Sequence, residues 1–181
     1  SVQGKPPTFA IGVLLPLLII GDALSMRHYW GAWDKRNLKL VLPGVIVGII
    51  IGIQLIDRFS PRQLNIVIGA LAVCFVVFQL IKHWIFKAEE GLKPGHALGV
   101  PFGLAAGVTS TFAHGAGPVI TMYLVPQKLP KKLFMGTNVL IFTWINWLKM
   151  PFFIGKGMIT GESLLMGLKF VLLIPIGVWI G

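Results

Sequence analysis

The sequence predicts an all-α fold: a polytopic membrane helix bundle with an internal two-fold repeat and broken, re-entrant Gly-Pro segments. Three observations carry this prediction. The 181 residues are 55% hydrophobic and 12% charged, with a mean hydropathy of +0.82, about half the charged share of a soluble domain. Apolar runs near the ~20 residues needed to cross a bilayer core alternate with short cationic loops. One run without Asp, Glu, Lys or Arg, Pro94 to Gln127, is 34 residues long, too long for one crossing and too short for two.

The net charge is +10, from 16 Lys and Arg against 6 Asp and Glu. The basic residues lie between apolar runs and form no basic face. They read as positive loops of a protein embedded in a lipid bilayer, and not as a nucleic-acid surface. The expected location is the cell membrane, crossed several times. A homo-oligomer is left open. Cys74 stands alone in an apolar run, so neither an intrachain disulfide nor a cysteine metal site is expected, and it reads as a small buried hydrophobe.

Taken in order, Pro7 to Met26 is the first crossing, apolar except for Asp22 and with Pro16 inside. A loop with Arg27, Lys35, Arg36 and Lys39 follows, and its Tyr29, Trp30 and Trp33 suit the membrane interface. Leu40 to Ile56 is the second crossing. Its Gly44, Gly48 and Gly52 recur every four residues, a face that lets another helix approach closely. A tight turn around Asp57 to Arg62 leads to the third crossing, Leu64 to Phe86, and a polar loop, Lys87 to Lys93.

The long uncharged run comes next. Its first arm repeats the glycine spacing at Gly99, Gly103 and Gly107 and is expected to lose helical character near Thr109. Its middle, Thr109 to Pro118, is small, polar and helix-breaking, and the second arm runs from Pro118 to Pro126. Hydrocarbon cannot satisfy the backbone groups such a break frees, so the break must be buried in protein or line a polar cavity. Shortened segments meeting at a Gly/Pro break point to a transporter's binding site. After the basic QKLPKK loop, Leu133 to Leu148 is a further apolar segment, Lys149 to Glu162 a loop, and Ser163 to Gly181 the start of a last helix.

Loop charges bear on the path of the long run. If it returns to its own side, the flanking Lys and Arg divide ten against four; if it crosses, nine against five. The positive-inside rule favours the hairpin.

Ordered matches suggest a repeat. Gly4 to Pro7 followed by Leu15-Pro16 resembles Gly115 to Pro118 followed by Val125-Pro126. Gly21-Asp22-Ala23 aligns with Gly136-Thr137-Asn138, and Leu42-Pro43 with Ile174-Pro175. The expected organisation is one transmembrane domain over residues 1–181, with 1–93 from the first repeat and 94–181 from the second. Each repeat is expected to lack about one helix at its outer end.

Several stretches resemble the TauE/SafE family of sulfite and organosulfonate exporters. They are Ala105 to Thr111, His114 to Pro118, Tyr123, Pro126-Gln127, Gly136-Thr137-Asn138, Asn146 and Lys149-Met150-Pro151. Leu14 to Leu18 and Asp22, with Tyr29 and Trp33, are similar to the family's first half. The family's first Gly-rich stretch, expected before Gly4, is absent. The resemblance implies an exporter of small anions (sulfite, sulfonates or related organic anions) working by alternating access around a Gly/Ser/Thr-lined break.

A sulfite or sulfonate taken from water needs donors to replace its hydration shell. Helix-start N–H groups supply them together with the positive end of the dipole. Gly115 and Gly117 would let the backbone come close, and Pro118 suits a first helical turn. Thr109, Ser110 and Thr111 offer hydroxyls, which could instead bond back to their own helix. His114 could donate to the anion or carry a proton. Thr137, Asn138 and Asn146 read equally as site lining and as helix–helix glue. Lys149 could attract anions at the mouth of the site, but it reads better as a helix-end lysine snorkelling to the interface. Asp22 is either a proton-coupling carboxylate or a helix cap after Gly21, and its alignment with Gly136-Thr137 favours the cap.

No HExxH, GxSxG or paired-carboxylate motif is present, and the 4 histidines are scattered. The chain is therefore read as neither an enzyme nor a carrier of metal or other cofactor. A passive anion channel and a non-transporting membrane subunit are the alternatives to a transporter.

Overall fold

The computed structural model describes residues 7–88 and 98–171, with side chains at 7, 75, 78, 79 and 82–88 left aside. These residues form seven α-helices and one 3₁₀ turn, with no strand among them. The helices are α1 (Pro7–His28), α2 (Lys35–Ile56), α3 (Pro61–Ala88), α4 (Gly99–Ala113), α5 (Ala116–Leu124), α6 (Lys131–Gly155) and α7 (Gly161–Val171). Two are long and apolar enough to cross a membrane, Thr8–His28 and Lys35–Ile56.

The tightest pairing is α2 against α4, and glycine makes it. A Cβ on Gly44 would overlap the Val100 carbonyl, one on Gly48 the Leu104 carbonyl, and one on Gly103 the Val41 carbonyl. The partners rise together in number, so the two helices run parallel, backbone on backbone. Val41, Val45, Ile49 and Ala106 fill the seam and are almost wholly buried. Lipid tails are as apolar as leucine, so such an association rests on close packing and not on exclusion of water.

Helix α6 lies antiparallel to α1. Gly12 abuts the Met158 carbonyl and Gly136 the Ala32 carbonyl, while Asp22 accepts a 2.7 Å hydrogen bond from Asn146 Nδ2. At the start of α2, Asp34 caps the helix by accepting from the Asn37 N–H at 2.7 Å. The Asp34 N–H in turn donates to Thr137 Oγ1 at 2.8 Å, tying α2 to α6. At the other end of the bundle, Asp57 forms an ion pair with Lys156.

The long uncharged run folds as a helical hairpin. Helix α4 leaves the end where α2 begins, and α5 comes back to it: Tyr123 stacks on Phe102 at 5.8 Å and donates to the buried Asn37 Oδ1 at 2.7 Å. Lys131 and Lys132, at the start of α6, therefore share an end with Arg27, Lys35 and Arg36.

Four expectations are corrected. Helix α4 does not weaken near Thr109 but continues to Ala113, because Thr109 and Thr111 bond back to its carbonyls. Helix α6 does not stop at Leu148. The apolar stretch Phe152-Phe153-Ile154 carries it past Pro151 to Gly155, and the loop shrinks to residues 156–160. Cys74 is not buried but exposed on α3. Asp22 is not a cap: it lies inside α1, six residues before the helix ends. The proposed repeat partners before Pro7 and after Val171, and the loop from Glu89 to Lys93, lie outside the described residues.

Candidate functional site: the break between α4 and α5

The break falls at His114. It caps α4 in the left-handed region, at φ 52°, and its N–H donates to Ser110 O at 3.0 Å. A left-handed non-glycine residue costs on the order of 1 kcal/mol and persists only where its surroundings fix it. Here the cap bonds close it, with Gly115 N–H also donating to Thr109 O at 3.3 Å, and two more bonds anchor the ring. His114 Nε2 lies 3.1 Å from the Ile11 carbonyl of α1, and Nδ1 lies 3.0 Å from Lys149 Nζ of α6. A carbonyl only accepts, so Nε2 carries the proton and Nδ1 presents its lone pair to the lysine.

Lys149 is fully buried. Besides His114 Nδ1, it donates to Ser110 Oγ at 2.9 Å and to Ser110 O at 3.2 Å. Its ammonium also lies 5.9 Å from the Phe153 ring centre, within cation–π range. Its three N–H groups thus have three acceptors, two on Ser110 in the last turn of α4 and one on His114, its cap. The lysine is not a snorkelling helix end: α6 continues past it for six residues.

Beside the break is a cavity of about 540 Å³. Thr109, His114, Gly115, Gly117 and Pro118 line one wall, and Leu71 and Cys74 of α3 another. The first turn of α5 forms part of that wall, and N–H groups there have no acceptor within their own helix. The two glycines leave this wall bare. A Cβ on Gly115 would meet nothing nearer than 3.6 Å, and one on Gly117 nothing within 4 Å. They keep space open beside the cavity and do not admit a neighbouring backbone.

The remaining sequence-predicted residues divide. The Thr109 hydroxyl donates to Ala105 O at 2.8 Å and the Thr111 hydroxyl to Gly107 O at 2.8 Å. Both therefore spend their protons on α4, although Thr109 still borders the cavity. Ser110 alone of the three turns its oxygen to another helix. Asn146 faces Asp22 on α1, three residues before Lys149 on the same side of α6. Thr137 bonds Leu133 O at 2.7 Å and holds Asp34, so it joins helices and stands about 18 Å along α6 from Lys149. Asn138 lies beside it, its buried Oδ1 without a partner. The break thus gathers Thr109, Ser110, His114, Gly115, Gly117 and Pro118, with Asn146 and Asp22 behind, and leaves Thr137 and Asn138 elsewhere. Among the described residues no group of three or more His, Cys, Asp or Glu could hold a metal ion.

The family model for sulfite exporter TauE/SafE matches residues 2–181. The chain belongs to the TauE/SafE family. Comparison with the curated proteins and with the solved structures gives no match. As a TauE/SafE protein it is a membrane protein of sulfite-exporter type, and its all-helical fold with two membrane-length helices agrees with that. In this TauE/SafE chain, sequence reasoning missed Lys149 as a member of the break. The available signal was the apolar Met150 to Ile154 after it, which puts the lysine inside a helix.

Proposed function

We propose that this protein is a multi-pass carrier of small anions in the cell membrane, with sulfite, sulfonates and related organic anions as its substrate class. Its substrate site is the cavity at the α4–α5 break. The observation that carries this reading is the hairpin itself. Helices α4 and α5 have 15 and 9 residues, about 22 and 13 Å, each shorter than a ~30 Å hydrocarbon core. They meet at a polar break that borders a cavity, the arrangement by which broken helices hold substrates in transporters. Family membership supports the substrate class.

In this reading the hairpin enters and leaves the membrane on one face. That face gathers the cationic loop after α1 and the QKLPKK loop, as the positive-inside rule favours. The anion rests against the first turn of α5, where N–H groups and the dipole replace its water. Alternating access then moves the hairpin against α1 and α6, the helices that hold His114 and Lys149.

The test is anion flux in liposomes holding the full chain, comparing sulfite, methanesulfonate, thiosulfate and chloride. Saturable sulfite or sulfonate flux that Gly117→Leu removes supports the carrier. Flux of every anion without saturation points to a channel, and no flux from folded protein sinks the reading.

A further inference from the structure

The cavity lining leaves one group unused. Lys149 is buried completely, yet among the described residues no carboxylate lies within ion-pair distance of it. The carboxylate of Asp22 is engaged by Asn146 instead. A charge taken out of water is costly unless a counter-charge faces it. Here three neutral acceptors satisfy its N–H groups, and the one carboxylate that acts on its charge, Asp22, does so from beyond contact distance.

We propose that Lys149 is the counter-charge for the transported anion, and that His114 occupies its place on Lys149 in the empty carrier. This rests on the carrier reading above. Of the residues that bond Lys149, only His114 borders the cavity. An anion entering the cavity therefore meets the imidazole first. To reach Lys149 it replaces Nδ1 as acceptor, and the ring swings aside. The backbone at His114 is closed locally, by His114 N–H to Ser110 O and Gly115 N–H to Thr109 O, so the ring can leave Lys149 without unwinding α4. The anion gains one charge-assisted bond from Lys149 and the hydroxyl of Ser110 beside it.

Lys149 is the one buried cation among the described residues, and Asp22 adds a negative charge near it, so the site favours singly charged oxyanions, such as an alkanesulfonate, over the sulfate dianion.

The experiment uses the full chain, in liposomes for flux and in detergent for ligand-induced thermal shift, with methanesulfonate and sulfate as probes. In Lys149→Gln, methanesulfonate no longer raises the melting temperature and its KM rises tenfold or more. In His114→Gly, which keeps the left-handed backbone without steric cost, the ring is gone. The KM for methanesulfonate then falls by about tenfold or more, the worth of one displaced hydrogen bond from a charged group. If Lys149→Gln does not fold, His114→Gly decides. An unchanged or higher KM in His114→Gly overturns the proposal, and so does sulfate competing as well as methanesulfonate. Methanesulfonate binding that depends on Lys149, without any flux, removes the carrier reading and leaves this assignment standing. Absence of binding to the native chain overturns it.

Discussion

Substituting Gly107 by alanine tests the packing that holds the hairpin in place. An added Cβ would lie 2.5 Å from the Val45 carbonyl oxygen, 2.8 Å from the Ile49 nitrogen and 2.9 Å from the Gly48 carbonyl carbon. All three are backbone atoms, so no side chain can rotate away. Ordinary contact begins near 3.4 Å, and the helices must part by roughly 0.9 Å to reach it. A gap of that size forfeits a quarter to a half of each dispersion contact along the seam. With the usual cost of overpacking, the expected loss is about 3 kcal/mol. At about 2–4 °C per kcal/mol for a chain this long, the melting temperature falls by about 6–12 °C. The assay is thermal unfolding of purified protein in detergent, with Gly69→Ala as the control. A Cβ on Gly69 meets nothing within 4 Å, and alanine improves helix propensity there, so that variant melts at or slightly above the native temperature. Equal melting of the two variants would refute the α2–α4 seam.

Four further outcomes follow from named contacts. Tyr123→Phe leaves the buried Asn37 Oδ1 without its donor, so thermal unfolding in detergent should show a loss of about 1–3 kcal/mol. Asn146→Leu strips Asp22 of its donor and should destabilise by a similar amount, with the double variant Asp22→Leu/Asn146→Leu recovering most of it in the same assay. Thr109→Val should keep saturable anion flux within about threefold, because the hydroxyl proton serves Ala105 and not the cavity. Lys156→Ala removes a partly exposed ion pair with Asp57 and should cost less than about 1 kcal/mol by thermal unfolding.

Much of the architecture was legible in the residues. The fourfold spacing of Gly44, Gly48 and Gly52, answered by Gly99, Gly103 and Gly107, foretold a close helix pair, and α2 meets α4 there. The length of the uncharged run and its Gly/Pro cluster foretold a break, and α4 ends at His114. The fine anatomy was less legible. Helix α4 outlasts its Thr-Ser-Thr because hydroxyls that suit a site suit helix carbonyls equally well. The left-handed residue that ends α4 is His114, closed by His114 N–H to Ser110 O and Gly115 N–H to Thr109 O, and its ring is then anchored by α1 and α6. Lys149 and Asp22 were misread. A lysine after an apolar run resembles a helix end, and an aspartate after a glycine resembles a helix start. Only the apolar residues beyond each, Met150 to Ile154 and Ala23 to Met26, reveal that the helix continues.

The most direct test of the central claim asks whether an anion occupies the break. Gly117 borders the cavity and has open space where a side chain would begin, so Gly117→Cys places a thiol there with little strain. Cys74 lines the same cavity and is first replaced by serine. The rate at which N-ethylmaleimide alkylates the introduced thiol is then measured with and without methanesulfonate, which does not consume the reagent. The account predicts that methanesulfonate slows alkylation saturably, with half-protection at the concentration that half-saturates flux. Alkylation at one unchanged rate, while methanesulfonate is still transported, would contradict a substrate site at the α4–α5 break.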